Sequence, residues 1–312
     1  VVMRGFVSEV SRHESMGGDG RPVRSVVIGG QDYGKIWQIM QIAFRADFIL
    51  GKSYISAFPL FERFGIGFKT VMSVSEFVTQ VFEKAINPFL DKMLPADFPL
   101  PRKITPKITV KDGTVSPGIQ TQQGNFHSLL SYFADVGAWN EMFIEDGEKE
   151  VVCVLRANPF LKASAIPDEK IHKEAPDPVY VDITDDDLLS LSVSRGDANV
   201  SNYYWVNAPR FVMNDVFVSQ SWAIPQNYKG TVYLGDYTNA QEKLYGIRIM
   251  ETESAMGEPS LQTHGTGGDA AGMQGQSRGM LDWVNDRRSS LVEQNKDNIL
   301  FERGSMRVRG NE

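Results

Sequence analysis

The chain is an α+β protein by its pattern. Three observations predict that class. Short β-prone runs bounded by glycine turns sit at both ends. Residues 73–94 carry an amphipathic helical stripe, and 126–136 a shorter one. Residues 188–194 alternate strictly between aliphatic and serine.

Composition sets the outer bounds. The 312 residues are 42% hydrophobic and 23% charged, ordinary for globular protein. A chain of this length buries about 75% of the surface its unfolded form exposes, so it needs no covalent staple. The 32 basic and 39 acidic residues leave a net charge of -7. That argues against tight nucleic-acid binding, which needs basic patches to displace counterions. The single cysteine, Cys153, excludes an internal disulfide. It sits in an apolar run and reads as a small buried hydrophobe. No apolar run reaches the length of a membrane span, and no signal-peptide pattern opens the chain. Strand patterns at both ends predict that both are cut through domains.

Taken in order, residues 3–30 predict a hairpin around Gly17-Gly18-Asp19-Gly20. A phosphate-cradling loop would lead into a helix, and this one leads into Arg21-Pro22 and a strand. Residues 32–44 predict a helix, with Asp32 as N-cap and Tyr33, Ile36, Trp37, Met40, Ala43 and Phe44 at helical spacing. Residues 47–68 read as mixed loop and extended chain.

Ser73 and Glu76 form a capping-box pattern at the head of the long helix. Phe77, Val78, Val81, Phe82, Ala85, Ile86, Phe89, Leu90 and Met93 make its stripe, read as a core face. Pro88 predicts a kink near Ala85-Ile86. A proline-rich connector follows over 94–106. Residues 108–115 suggest a hairpin turned by Asp112-Gly113. A helix over 126–136 buries Phe126, Leu129, Leu130, Phe133 and Val136 on one face. Residues 141–144 and 150–155 predict a hairpin around Asp146-Gly147, its second arm central and covered on both sides.

Val179, Val181 and Ile183 share one face of a predicted strand, and Asp185, Asp186 and Asp187 break it. Leu189, Leu191 and Val193 are expected to be buried, with Ser190, Ser192 and Ser194 facing solvent or a neighbouring subunit. Arg195-Gly196-Asp197 turns into an aromatic strand over 200–206. Residues 213–225 are mixed, and 245–251 predict another strand. Residues 254–279 read as a glycine-rich surface loop. A helix over 280–298, with Leu281, Val284, Leu291 and Val292, leads to a strand over 304–310.

Three constellations invite an enzymatic reading. Asp182 with Asp185, Asp186 and Asp187 lacks the calcium-loop pattern and reads as a solvated turn. Glu141 and Glu145 resemble the paired carboxylates of glycosidases, a match that depends on distance in space. His264 and Asp269 lie in the glycine-rich loop, a poor place to hold a reacting geometry. The tripeptide Arg195-Gly196-Asp197 matches a cell-adhesion motif, but a turn between strands accounts for it. No catalytic, cofactor-binding or metal-binding residue is assigned, and no cofactor is expected.

The order of these features resembles the baseplate hub proteins of contractile-tailed bacteriophages, a group that includes the tail-hub and late-control proteins and the hub half of type VI secretion spikes. The segment from Phe6 to Lys35, ending in Gly29-Gly30-Gln31-Asp32-Tyr33-Gly34-Lys35, is similar to the family's strand-loop-strand element. So are the stretch from Gly124 to Leu130 followed by Trp139-Asn140-Glu141-Met142-Phe143-Ile144, and Leu155-Arg156 with Asn158-Pro159-Phe160. The strand pair over 179–206, with Arg195, Asp197 and Asn202, and the passage from the 280–298 helix into residues 301–310 complete the likeness. The glycine-rich loop at 254–279 is not a hallmark of that family.

The resemblance implies a domain plan. Residues 1–34 would belong to a first tube-like barrel and 35–178 to the inserted α/β domain. Residues 179–253 would supply strands shared with the barrels, 254–279 a flexible loop, and 280–312 a helix and the start of a second barrel. It implies a structural homotrimer without enzymatic activity. Two tube-like barrels per subunit would give six, matching a hexameric tail tube on one side and a trimeric spike on the other. Tube protein, central spike protein and other baseplate proteins are the implied partners, with no specific nucleic-acid binding and no stable membrane insertion. The implied location is the tail baseplate of the virion, assembled in the host cytoplasm. A weakly repelling acidic wall suits a conduit for DNA. The alternatives are a tail-associated cell-wall hydrolase, with Glu141 as the first residue to test, and a type VI secretion spike hub.

Overall fold

A computed structural model describes residues 4–18, 20–42, 72–98, 101–115, 124–147, 150–159, 175–184, 186–194, 196–207, 220–222, 242–257, 283–292, 294–295 and 303–309. The chain is mixed α+β, with short helices and small sheets. In order, the strands and helices are β1 (Phe6–Met16), β2 (Pro22–Gln31), α1 (Gly34–Ile39), β3 (Gln41–Ile42), β4 (Met72–Ser73), α2 (Val74–Val81), α3 (Asn87–Met93), β5 (Ile104–Thr109), β6 (Thr114–Val115) and β7 (Gly124–Asn125). Then come α4 (Phe126–Phe133), β8 (Asn140–Asp146), β9 (Val151–Ala157), β10 (Leu188–Ser194), β11 (Tyr203–Asn207), β12 (Gln220–Trp222), α5 (Glu242–Tyr245), β13 (Ile249–Glu253), a helix α6 over 283–292, and β14 (Arg303–Val308).

The core is built where the apolar stripes lie. Phe77, Val78, Val81, Phe82, Ala85, Ile86 and Leu90 are all buried. Ser73 caps α2 by accepting from the Glu76 N–H at 3.1 Å, as the capping box requires. The predicted disturbance ahead of Pro88 is a π-helical turn over Phe82–Ile86. Proline has no N–H to donate, so a widened turn just before it relieves the ladder without ending the helix. Asn87 then ties this helix to β5, donating from its side chain to the Ile104 carbonyl and accepting from the Ile104 N–H.

The first helix is shorter than its stripe. Tyr33, Ile36, Trp37 and Met40 are buried as expected, but Gln41–Ile42 turns into a strand paired with Gly124–Asn125. Asp32 accepts from the Gly34 N–H at 2.8 Å, one residue outside the cap position. In α4, Asn125 is the N-cap, accepting from the Ser128 N–H. Phe126, Leu129, Leu130 and Phe133 are buried, and Phe77 meets Phe133 edge-on with ring centroids 5.0 Å apart.

The central sheet runs β5-β9-β8. β9 pairs antiparallel with β8 and parallel with β5. Its predicted central position holds: Val151, Cys153, Val154, Leu155 and Ala157 are buried. The hairpin expected at Asp112-Gly113 is not formed. Thr114–Val115 pairs instead with Met72–Ser73. Asp112 accepts from the Ser75 N–H, and the Gly113 carbonyl from the Val74 N–H, so both residues serve the free amides at the head of α2. Glycine is required at 113, because a Cβ there would stand 2.8 Å from the Cβ of Met256.

A buried ionic group joins distant segments. Asp135 follows α4 with φ 49, the left-handed position usually given to glycine. Its carboxylate accepts from the Ser254 hydroxyl at 2.6 Å and the Ala255 N–H at 2.8 Å, and lies 3.7 Å from the Arg287 guanidinium. That guanidinium stacks over Trp139 and Trp283, 5.0 and 4.8 Å from their ring centroids. The Trp139 indole N–H donates to the Arg287 carbonyl. Burial pushes the Asp135 carboxyl above its usual range, while Arg287 and the hydrogen bonds pull the other way.

Two further pieces complete the picture. β11 is the middle strand of β12-β11-β13. Asn202 fixes the start of β13: its amide donates to the Gly246 carbonyl, and its side-chain oxygen accepts from the Arg248 N–H. β1-β2 and β10-β14 are two-stranded antiparallel ribbons.

Candidate interaction surfaces

The two ribbons carry many of the exposed aliphatic side chains among the described residues. β1 and β2 pair from Phe6↔Gln31 to Met16↔Pro22, with an irregularity between Val7 and Glu9. The turn is closed by Gly20 N–H to the Gly17 carbonyl and Gly17 N–H to the Arg21 carbonyl. It leads straight into β2, so it has none of the helix amides a phosphate cradle needs. The ribbon is anchored at its base. Phe6 packs edge-on against Tyr33 and stacks on Phe98, Arg4 bonds to Asp146 and Gly147, and Lys35 donates to the Val7 carbonyl. Beyond that anchor Val10, Val26 and Ile28 share one face with Arg12, Glu14 and Arg24 by pleat and register, and Val23 and Val27 stand on the other; all five aliphatic side chains are exposed.

The second ribbon is more sharply two-sided. Leu191 stands opposite Met306, Val193 opposite Gly304, and Leu188 opposite Val308, so one face is aliphatic. Ser190 opposite Arg307 and Ser192 opposite Ser305 make the other face polar and basic. The alternation read from the sequence holds from Ser190 to Ser194; at Leu189 a bulge interrupts the register, and Leu188 takes the place on the aliphatic face that was expected of Leu189. The expected burial is not met within this chain: Leu191 is 58% exposed and Met306 53%. Nothing in the chain's described residues covers that face, because β10 pairs only with β14 in its sheet.

The enzymatic constellations are now placed. Glu141 is held by Arg156 across the β8-β9 pair, and Arg156 lies over Phe143. Glu141 and Glu145 lie on one strand, so their α-carbons are roughly 13 Å apart at a rise of about 3.3 Å per residue. Thr184 and Asp187 form a turn, the Thr184 hydroxyl donating to the Asp187 carboxylate and the Asp187 N–H to the Thr184 carbonyl. Among the described residues no group of three or more His, Cys, Asp or Glu could hold a metal ion. His264, Asp269 and Asp185 lie outside the described residues.

Asp197 is used within the chain. Arg248 donates to its carbonyl and approaches its carboxylate at 3.4 Å, and the Arg248 guanidinium lies over Tyr245. Turn geometry accounts for this tripeptide's aspartate, as expected. Cys153 is buried, and burial pushes its thiol up to about 12. A thiol in that state is a poor nucleophile. No helix among the described residues is long and apolar enough to cross a membrane.

Sequence reading missed the Asp135–Arg287 group. A helix-ending aspartate where glycine is usual was the available signal, but its partner was not identifiable by spacing. No family model, curated protein or solved structure matches the chain.

Proposed function

We propose that the chain is a structural hub of a contractile tail, a trimeric ring that joins a hexameric tube to a central spike and lines the passage for DNA. The observation that carries this reading is the pair of two-stranded ribbons, β1-β2 and β10-β14, which expose aliphatic side chains, the second of them on one open face. A two-stranded ribbon alone is marginal in water, and three or more strands with a covered face are needed for independent stability. The ribbons fall in the segments whose order resembles barrel strands of the hub family. Neighbouring subunits would complete those barrels, through obligate interfaces that commonly exceed about 2,000 Å². The net charge of -7 suits a wall past which DNA must slide.

The test is to tag the chain in purified contractile-tail particles and locate it by cryo-EM. Three copies at the junction of tube and spike are expected. A stable monomer within assembled particles, or density remote from that junction, overturns the reading.

A further inference from the structure

The strand expected over Val179–Ile183 is not formed: residues 176–183 follow the buried Ala175 without regular secondary structure, up to the Thr184–Asp187 turn. From Val179 to Ile183 the chain makes no hydrogen bond with a described residue. Val179 is 90% exposed and Val181 77%, with Tyr180 and Ile183 exposed beside them. An exposed apolar segment whose amides and carbonyls have no hydrogen-bond partner among the described residues is able to pair as an added strand. Its faces are distinct, because alternation puts Val179, Val181 and Ile183 on one side and Tyr180 and Asp182 on the other.

An edge that matches it exists in the same chain. β14 pairs with β10 on one side, and its other edge has no strand partner among the described residues. Met306 and Val308 continue the aliphatic face, while Arg307 lies on the opposite face and Arg309 follows the strand. A strand carrying Val179, Val181 and Ile183 beside β14 would extend the aliphatic face. Asp182 would then lie on the same side as Arg307. Apolar and charged faces match together only in that orientation.

We propose that residues 178–183 of one copy dock as a third strand on the free edge of β14 in a second copy. The contact is head-to-tail, since arm and edge are different surfaces, and repeated through a closing rotation it makes a ring. It also removes two liabilities at once, an open sheet edge and an exposed apolar strand. The inference shares with the proposed function only the expectation of self-association.

The test uses the full chain in native mass spectrometry over a concentration series. Val179→Asp with Val181→Asp should weaken association roughly a hundredfold, since two apolar side chains lose their burial. The circular dichroism and Tm of the dilute chain should not change, because both residues are exposed in the free chain. Asp182→Arg should weaken association about tenfold, and Arg307→Asp added to the same chain should restore it. Association unchanged by the valine substitutions, or no rescue by the double reversal, overturns the inference and leaves the hub reading standing. A wild-type chain monomeric at every concentration overturns the second copy as occupant. So does strong hydrogen-exchange protection of 179–183 in the dilute monomer, which would mean pairing within one chain. An associating, arm-dependent chain that is absent from tail particles would overturn the hub reading and leave this one.

Discussion

The Arg287 guanidinium lies 3.7 Å from the Asp135 carboxylate, with both side chains about 1% exposed. The two residues hold the end of α4, the segment after β13 and α6 in one place. Breaking a buried pair by removing one partner strands the other charge, at a cost of about 3–5 kcal/mol. Arg287→Leu is expected to lose that much at neutral pH, measured by urea unfolding. The sign with pH follows from the raised carboxyl. A carboxyl whose folded pKa lies above its unfolded value stabilises fully below the unfolded pKa, and that contribution is lost as pH rises through the folded one. Removing Arg287 raises it further. The deficit of the variant should therefore be smallest near pH 4 and grow toward neutral pH.

Cys153 should not react with iodoacetamide in the folded chain at pH 9, and should react fully in denaturant. Its thiol is raised to about 12 by burial, whereas an unfolded cysteine ionises near about 8.5. The folded state keeps its proton where the unfolded state releases it, so this group lowers stability as pH rises above about 8.5. Comparing wild type with Cys153→Val by denaturant titration at pH 7 and pH 10 measures that slope. The variant should be the less pH-sensitive of the two.

Asn202→Ala should detach β13. The side chain bonds to Gly246 and Arg248 across the start of the β11-β13 pair, and the residue is buried. Leaving those backbone groups unpaired costs about 1–3 kcal/mol. Hydrogen exchange should speed up most at residues 249–253. An even loss of protection across the core would contradict the assignment of Asn202 as a local clamp.

Leu191→Lys separates folding from assembly. The residue lies on the open aliphatic face of β10-β14, so the Tm of the dilute chain should stay close to wild type. Surface substitutions usually fall within about 0.5 kcal/mol. Under the proposed hub assembly, incorporation into tail particles should fail, since a neighbouring subunit would cover that face. A drop of many degrees in Tm in the dilute chain would show that the face is already packed within one subunit.

Much of the secondary structure was legible because its causes are local. The Ser73 cap, the stripe from Phe77 to Leu90 and the Asn125-Phe126 helix start are each specified within a few residues, and each forms. The Asp112-Gly113 pair was misread because turn chemistry also serves a helix head. Those two residues bond to Val74 and Ser75 instead of closing a hairpin. Among the candidate groups, Glu141 and Asp197 could be judged only after Arg156 and Arg248 were placed beside them.

By itself the sequence determined the Ser73 cap, the buried stripe of the helix it heads and the strand that is apolar throughout, because side-chain period and cap chemistry act over one or two turns of chain. Tertiary structure alone decided that Asp135 meets Arg287, and that the aliphatic face of β10-β14 lies open within one subunit. A period of two states which side chains share a face. It does not state what lies against that face, since burial is a property of the neighbouring surface.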